Sequence, residues 1–221
     1  MADLFVRFIE EKARAAAALY VLGDLFEYWI GDDDTDNLFN ESVLGRLASL
    51  AERDVPVFFM PGNRDFLLGE RAAARGKLRL LSEPSVIDLH GMRTLLLHGD
   101  TLCDADMAYQ RYRRVVRHPL FYAAARVLPV RARHRIGLSL RARSERRPPP
   151  HVLGDVTEDA VRGAFQRYGV RQMIHGHTHR AARHLLTVAG ERCVRWVLPD
   201  WYERGGFLEA TPQSIELMTF A

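Results

Sequence analysis

The sequence predicts a layered α/β/β/α fold, two β-sheets packed face to face between helices, with a helical cap inserted in it. Three observations predict it. Short apolar strands alternate with helical patterns early in the chain, a meander of strands closes it, and a strongly basic segment breaks the rhythm between them. With 221 residues and a hydrophobic fraction of 48%, the chain can fill such a core. Residues 1–106 and 152–221 are assigned to the core and residues 107–151 to the cap.

The elements follow in order. Leu4, Phe5, Phe8 and Ile9 recur with helical spacing and lead into "LYVLGD", an apolar burst ending in Gly23 and Asp24. A second helix fits "LFNESVLGRLASLAERD". The strand "VPVFFMPGN", Val55 to Asn63, comes next, again with its polar residues last. "SVIDLHG" and "MRTLLLHGD" read as two strands about a turn at Gly91, and "VRQMIHGHTH" is another apolar strand ending in polar groups. "HLLTVAGERCVRWVLPDW", "GGFLEAT" and "SIELMTF" read as antiparallel strands. The cap ends in "RRPPPH", whose prolines forbid helix and favour an extended connector.

Charge is segregated along the chain. Between Arg111 and Arg147 there are twelve arginines and one acid, Glu145, whereas the whole chain carries only +3. The arginines flank "PLFYAAARVLPV", so apolar groups sit among cations. This suits an anionic membrane surface, an acyl-chain ligand or nucleic acid, and equally a solvated helix face. No base-stacking motif accompanies the arginines, so nucleic acid is not expected as a partner. Acidic and basic residues interrupt Met1 to Tyr20, and no run of eighteen apolar residues occurs. With only Cys103 and Cys193, both read as structural, a cytoplasmic, reducing setting is expected.

Four strand ends carry candidate ligands: Asp24 in "GDLFE", Asn63 in "GNRD", His98 in "HGD", and His177 with His179 in "GHTH". Polar groups after buried strands face the carboxyl edge of a sheet, where open α/β folds place their sites. Singly each is a weak signal, since an Asp after Gly is commonly a turn residue and a lone His commonly a core one. Together, imidazole, carboxylate and amide oxygen suit Mn²⁺, Fe²⁺ or Zn²⁺.

These motifs resemble those of the calcineurin-like metallophosphoesterases: a Gly-Asp, a Gly-Asn block, a His and a Gly-His-x-His, in that order. More narrowly, "LYVLGDLFEYWIGDDD", "PGNRDFLLG", "LLHGDTLCDAD" and "IHGHTHR" are similar to the UDP-2,3-diacylglucosamine pyrophosphatases of lipid A biosynthesis. The resemblance implies a metallophosphoesterase sandwich holding two Mn²⁺. One ion takes Asp24, Asn63, His98 and His177; the other takes Asp24 and His179 together with an Asp-x-His motif. Nothing before Leu19 reads Asp-x-His. The expectation is therefore a fold lacking its first strand, with one complete ligand set, arising either from a start placed downstream of the true one or from a shortened product with damaged catalysis.

The resemblance further implies hydrolysis at the phosphorus on the UMP side, releasing UMP and 2,3-diacylglucosamine 1-phosphate, with the protein peripheral on the inner face of the inner membrane. Asn63, Arg64 and His98 are implied as catalytic, and Asn63, Arg64, Asp106, Tyr109, Arg141, Arg143 and His177 as substrate-binding. Alternatives stay open. Arg64 could pair with Asp65, Asp100 could orient a ligand imidazole or form a turn, and Tyr109 could be cap packing. His175, facing away from His177 along a strand, could pack or support a ligand. Phe121, Tyr122, Leu128 and Val130 are candidates for an acyl-chain surface or for the cap's own core. A general phosphoesterase and a non-enzymatic membrane or RNA binder are the rival functions.

Overall fold

The computed structural model describes residues 2–145, 155–202 and 204–221. The elements run α1 (Ala2–Glu11), β1 (Leu19–Val21), α2 (Leu38–Ala51), β2 (Val57–Phe59), α3 (Glu70–Gly76), β3 (Leu78–Leu80), β4 (Ser85–Leu89) and β5 (Met92–Leu97). The cap follows as α4 (Met107–Val116), α5 (Pro119–Val127) and α6 (Val130–Glu145). After it come α7 (Glu158–Tyr168), β6 (Gln172–His175), β7 (Ala182–Val188), β8 (Glu191–Val197), β9 (Gly205–Ala210) and β10 (Ile215–Phe220).

Three sheets form where the sequence predicts two. β1, β2 and β3 are parallel, β9 and β10 make a separate antiparallel ribbon, and a five-stranded sheet has the order β4-β5-β6-β8-β7. Its centre, β5-β6-β8, is parallel and its two outer strands pair antiparallel. The layering is nevertheless the expected one, because three apolar clusters separate four layers. Phe8, Leu44, Leu47, Phe59 and Ala72 join α1, α2 and α3 to the outer face of β1-β2-β3, and Phe207 and Phe220 bring the β9-β10 ribbon to the same layer. Leu22, Met60, Leu96, Ile174 and Trp196 fill the space between the sheets, with Leu208 and Leu217 beside them. Leu95, Leu97 and Met173 meet Val161 and Phe165 of α7 on the far face.

Helix α1 is held by aromatic packing. The Phe8 ring lies 5.2 Å from Trp201, 5.0 Å from Phe207 and 5.9 Å from Phe220. Local signals define α7 well: Thr157 accepts the N–H of Ala160 as N-cap, and Gly169 ends the helix at φ 58.

The basic segment is not a solvated appendage. Arg117 donates to the carbonyls of Pro61 and Gly62 at 3.1 and 2.8 Å, and the Tyr122 hydroxyl donates to Phe66 O at 3.0 Å. Arg133, buried, donates to Ile30 O at 2.8 Å and to the carboxylate of Asp33. Three cap helices are thereby fastened over the loops that follow β1 and β2. Phe121 and Tyr122 pack against Phe66 with ring separations of 6.3 and 6.2 Å, and with Val130 are half-buried; Leu128 is exposed. Larger exposed apolar groups stand at Val115, Leu120 and Val127. The side chains of Arg141 and Arg143, and the proline connector, lie outside the described residues. Among the described residues, no helix is long and apolar enough to cross a membrane.

Candidate metal centre

β1, β2, β5 and β6 end toward one point, and each sends a polar side chain there. Asn63 Oδ1 lies 2.9 Å from His98 Nε2 and 3.0 Å from His177 Nδ1. Asp24 Oδ2 lies 3.7 Å from His98 Nε2, and ligand atoms of Asp24, His98 and His177 all fall within 4.8 Å of one another. Four residues separated by up to 153 positions thus converge, all of them named from the sequence.

Two glycines allow that approach. A Cβ on Gly23 would stand 2.5 Å from Gly62 Cα and 2.6 Å from His98 Nδ1. One on Gly62 would stand 2.3 Å from Asp24 Oδ1 and 2.8 Å from His98 Cε1. The backbones of the two strand ends therefore meet back to back beneath the ligands. Asp24, His177 and His179 themselves take left-handed conformations, φ 56, 66 and 57. Such geometry costs roughly 1–3 kcal/mol per residue and persists where its surroundings enforce it, as they do at functional sites.

Asp65 provides much of that enforcement. Fully buried, it accepts the N–H groups of Asp24 (3.2 Å), Leu25 (2.9 Å) and Gly62 (2.6 Å), so one carboxylate ties both loops together. Burial, reinforced by the charge of Asp24, raises its pKa to about 6. Asp65 is thus occupied inside, and the Arg64–Asp65 ion pair left open by the sequence is not formed. Arg64 instead donates to Glu27 at 2.8 Å and to the Tyr202 hydroxyl at 2.8 Å, and its Nε lies 3.6 Å from Asp24 Oδ2.

The His98 ring is aimed by a backbone carbonyl. Nδ1 meets Leu22 O at 2.8 Å, so Nδ1 carries the hydrogen and Nε2 presents a lone pair to the cluster. Asp100, a candidate for that orienting role, does not fill it. Its carboxylate accepts the Tyr109 hydroxyl at 2.6 Å and Arg113 Nε at 2.8 Å. Arg113 also reaches Glu83 at 2.6 Å, and Glu83 accepts the His98 N–H at 2.9 Å. Cap helix α4 is in this way joined to the backbone of a candidate ligand residue. Glu83 and Arg113 were not singled out from sequence, where an Arg in a basic run and a Glu before a proline look like ordinary surface residues.

Asp106 caps α4 through the Tyr109 N–H at 2.9 Å, while the Tyr109 ring stands 6.1 Å from His177. Burial and the neighbouring Asp100 carboxylate push the Tyr109 hydroxyl well above the usual phenol range. His175 points away from the cluster: Nδ1 meets Gly176 O at 2.9 Å and Nε2 accepts from Arg195 at 3.0 Å. Burial pulls its pKa down to about 4. His179 is not part of the four-residue cluster. Its Nδ1 lies 3.9 Å from Asp200 Oδ2 and its ring 5.4 Å from Tyr202, neither of which the sequence reading marked.

The donor set fits a divalent cation. Two imidazole nitrogens and one carboxylate surround a single amide oxygen, a mixed hard and borderline set without thiolate. Burial alone would depress the His98 pKa, yet the carboxylates of Asp24, Asp100 and Glu83 outweigh it and raise the value, so the local field favours added positive charge. His177, buried and beside His98, falls to about 4 and stays neutral, as a ligand imidazole must.

Known proteins are similar to this chain over most of its length. Residues 2–181 match the profile of the calcineurin-like phosphoesterases. A UDP-2,3-diacylglucosamine hydrolase of Xanthomonas oryzae pv. oryzae is 44% identical, over 99% of this chain and 92% of the relative. One from Stenotrophomonas maltophilia is 45% identical over the same shares, and one from Edwardsiella ictaluri is 45% identical over 97% of this chain and 83% of the relative. A convergent Asp, Asn and two His at four strand ends, on a chain that matches along nearly its whole length, makes this protein a member of the calcineurin-like phosphoesterase family.

Proposed function

We propose that the protein hydrolyses the pyrophosphate bond of UDP-2,3-diacylglucosamine, giving UMP and 2,3-diacylglucosamine 1-phosphate, with Mn²⁺ as cofactor. The observation that carries this reading is the meeting of Asp24, Asn63, His98 and His177 beneath a basic, partly apolar cap, on a chain 44–45% identical to relatives of that name.

Asp24, Asn63, His98 and His177 would hold one cation, and His179, with Asp24 and the facing Asp200, would contribute to a second. A bound divalent cation supplies Lewis acidity, lowering the pKa of water toward ~7 and drawing charge from phosphoryl oxygens. The remaining work falls to the chain. Arg64, one-third exposed and always charged, is placed beside Asp24 to grip phosphate oxygens as a fork, exchanging its contacts with Glu27 and Tyr202 for substrate. Asn63 keeps its amide N–H group for the same phosphate while its oxygen faces the imidazoles. Leu22 O keeps the His98 ring from turning and Glu83 holds the His98 backbone N–H, so the imidazole would keep its place as charge moves onto the phosphate. Tyr109 and Asp106, at the start of α4, together with Arg141 and Arg143, are proposed to contact the glucosamine headgroup.

The cap supports the lipid part of the substrate. A cavity of about 510 Å³ between cap and core has an apolar part, Ile30, Leu67, Leu80, Tyr122 and Ala125, and a charged part, Asp32, Asp33, Glu70, Arg71, Arg126 and Arg133. Exposed Val115, Leu120 and Val127 stand among arginines, which suits docking on an anionic leaflet, the inner face of the inner membrane. Turnover of UDP-2,3-diacylglucosamine should far exceed that of UDP-glucosamine without acyl chains. Equal turnover of the two would leave a general phosphoesterase and remove the lipid reading.

A further inference from the structure

We infer that a second cavity, behind the loop carrying His177 and His179, is a binding site for a small oxyanion of the phosphate or sulfate class. This cavity, about 360 Å³, is lined by Thr178, Arg180, His184, Arg195, Val197 and Asp155. It lies on the face of the five-stranded sheet that α7 covers, beyond the apolar cluster of Leu97, Met173 and Phe165.

Cys193, Arg195 and Val197 of β8 share one face, and Cys193 lies in that face's apolar core, so Arg195 is a cation placed on a core-facing row. It is only 9% exposed. Its guanidinium has five donors, yet among the described residues it forms one hydrogen bond, from Nη1 to His175 Nε2, and has no carboxylate within ion-pair distance. Burying a charge with so few partners is costly, and the remaining donors border the cavity. The Thr178 hydroxyl, 5% exposed and also lining the cavity, has no hydrogen-bond partner. A buried guanidinium and a buried hydroxyl without enough partners therefore line one open cavity.

The other charges leave the balance positive. Among the described residues, Asp155 is the one carboxylate in the wall, and it is taken by Arg180 at 2.7 Å and by the Val156 N–H at 2.8 Å. Partial burial and the charge of Arg195 lower the His184 pKa, and its ring can donate an N–H. An oxyanion accepts from all of these donors, which a cation or an apolar ligand cannot do. Because Arg195 also holds His175, two residues before His177, an occupant would brace the loop bearing two ligand candidates. The site does not depend on the proposed hydrolysis and can be tested apart from it.

The test is thermal unfolding of the full, Mn²⁺-treated protein with added sodium sulfate, against sodium chloride at equal ionic strength. A saturable rise in Tm specific to sulfate is expected. It should be lost in Arg195→Gln, have an apparent Kd raised about tenfold or more in the isosteric Thr178→Val, and persist in Arg64→Ala, which lies at the phosphate side of the metal cluster. Adding UMP distinguishes the sources: displacement of sulfate assigns the site to a nucleotide phosphate, no displacement assigns it to a free oxyanion, and either supports the inference. No sulfate-specific rise in the wild type, a rise unchanged in Thr178→Val, or a rise abolished by Arg64→Ala would overturn it. Should Arg195→Gln fail to fold, Thr178→Val decides alone.

Discussion

Replacing Gly62 by alanine places one methyl group where the structure has no room. The new carbon would stand 2.3 Å from Asp24 Oδ1, 2.5 Å from Asp24 N and 2.8 Å from His98 Cε1. Ordinary contacts for such a carbon begin at 3.4 Å, so the strand ends must part by about 1 Å: the Asp24 carboxylate could swing aside, but Asp24 N, at 2.5 Å, is backbone that cannot rotate away. Overpacking of this kind costs about 1–3 kcal/mol of stability. Ligand distances tolerate only about 0.2 Å, so a displacement of Asp24 or His98 several times larger should weaken the cation far more than it weakens the fold. We expect Mn²⁺ affinity to fall at least ~10–100-fold, the range found when groups supporting metal ligands are disturbed. Isothermal titration calorimetry of Mn²⁺ into Gly62→Ala and wild type measures this directly. Affinities within about twofold of each other would refute the back-to-back contact of the two glycines, since a twofold change is about 0.4 kcal/mol, far below what the clash requires.

Other perturbations test other parts of the account. Gly45→Ala and Gly163→Ala, in helices α2 and α7, meet nothing within 4 Å and should each stabilise by about 0.5–1 kcal/mol in urea unfolding; destabilisation would show that those faces are packed. Arg64→Lys should lower kcat/KM on the acylated nucleotide sugar roughly 10–100-fold while Mn²⁺ affinity stays unchanged, because a lysine keeps the charge but loses the fork. The hydrogen bond from Arg133 holds the Asp33 carboxyl below its ordinary 3.8, so its contribution is complete above that value and lost as pH falls through the lower folded value. The Tm difference between wild type and Asp33→Asn should therefore shrink on acidification below 3.8; a constant difference would contradict the assigned cause.

Much of the site was legible because ligands sit at strand ends, where an apolar run followed by a polar group marks the carboxyl edge of a sheet. Asp24, Asn63, His98 and His177 all carry that signature. Local patterns could not reveal how the sheets divide. β1, β2 and β3 are three residues each, too short for an alternating pattern, and whether β9 and β10 join them depends on distant pairing. Helix α7, by contrast, carries readable local signals: the N-cap Thr157, the acidic first turn of Glu158 and Asp159, and the terminating Gly169. The arginine-rich cap shows a different limit. Composition marks Arg113, Arg117 and Arg133 as charge, but only tertiary structure shows that they turn inward to Asp100, Gly62 and Ile30. Asp65 hides for the same reason, since backbone N–H groups from two separate loops leave no trace in the order of residues.

Release of UMP from UDP-2,3-diacylglucosamine, followed after chelation and then on stepwise return of Mn²⁺, tests the whole account most directly. Turnover should vanish in the stripped protein, return with Mn²⁺, and require far more Mn²⁺ in Asn63→Ala, which removes the oxygen shared by His98 and His177. Undiminished release by the chelated protein, or an Asn63→Ala variant with the wild-type Mn²⁺ requirement, would contradict the claim that these four strand ends assemble a metal-dependent hydrolytic centre.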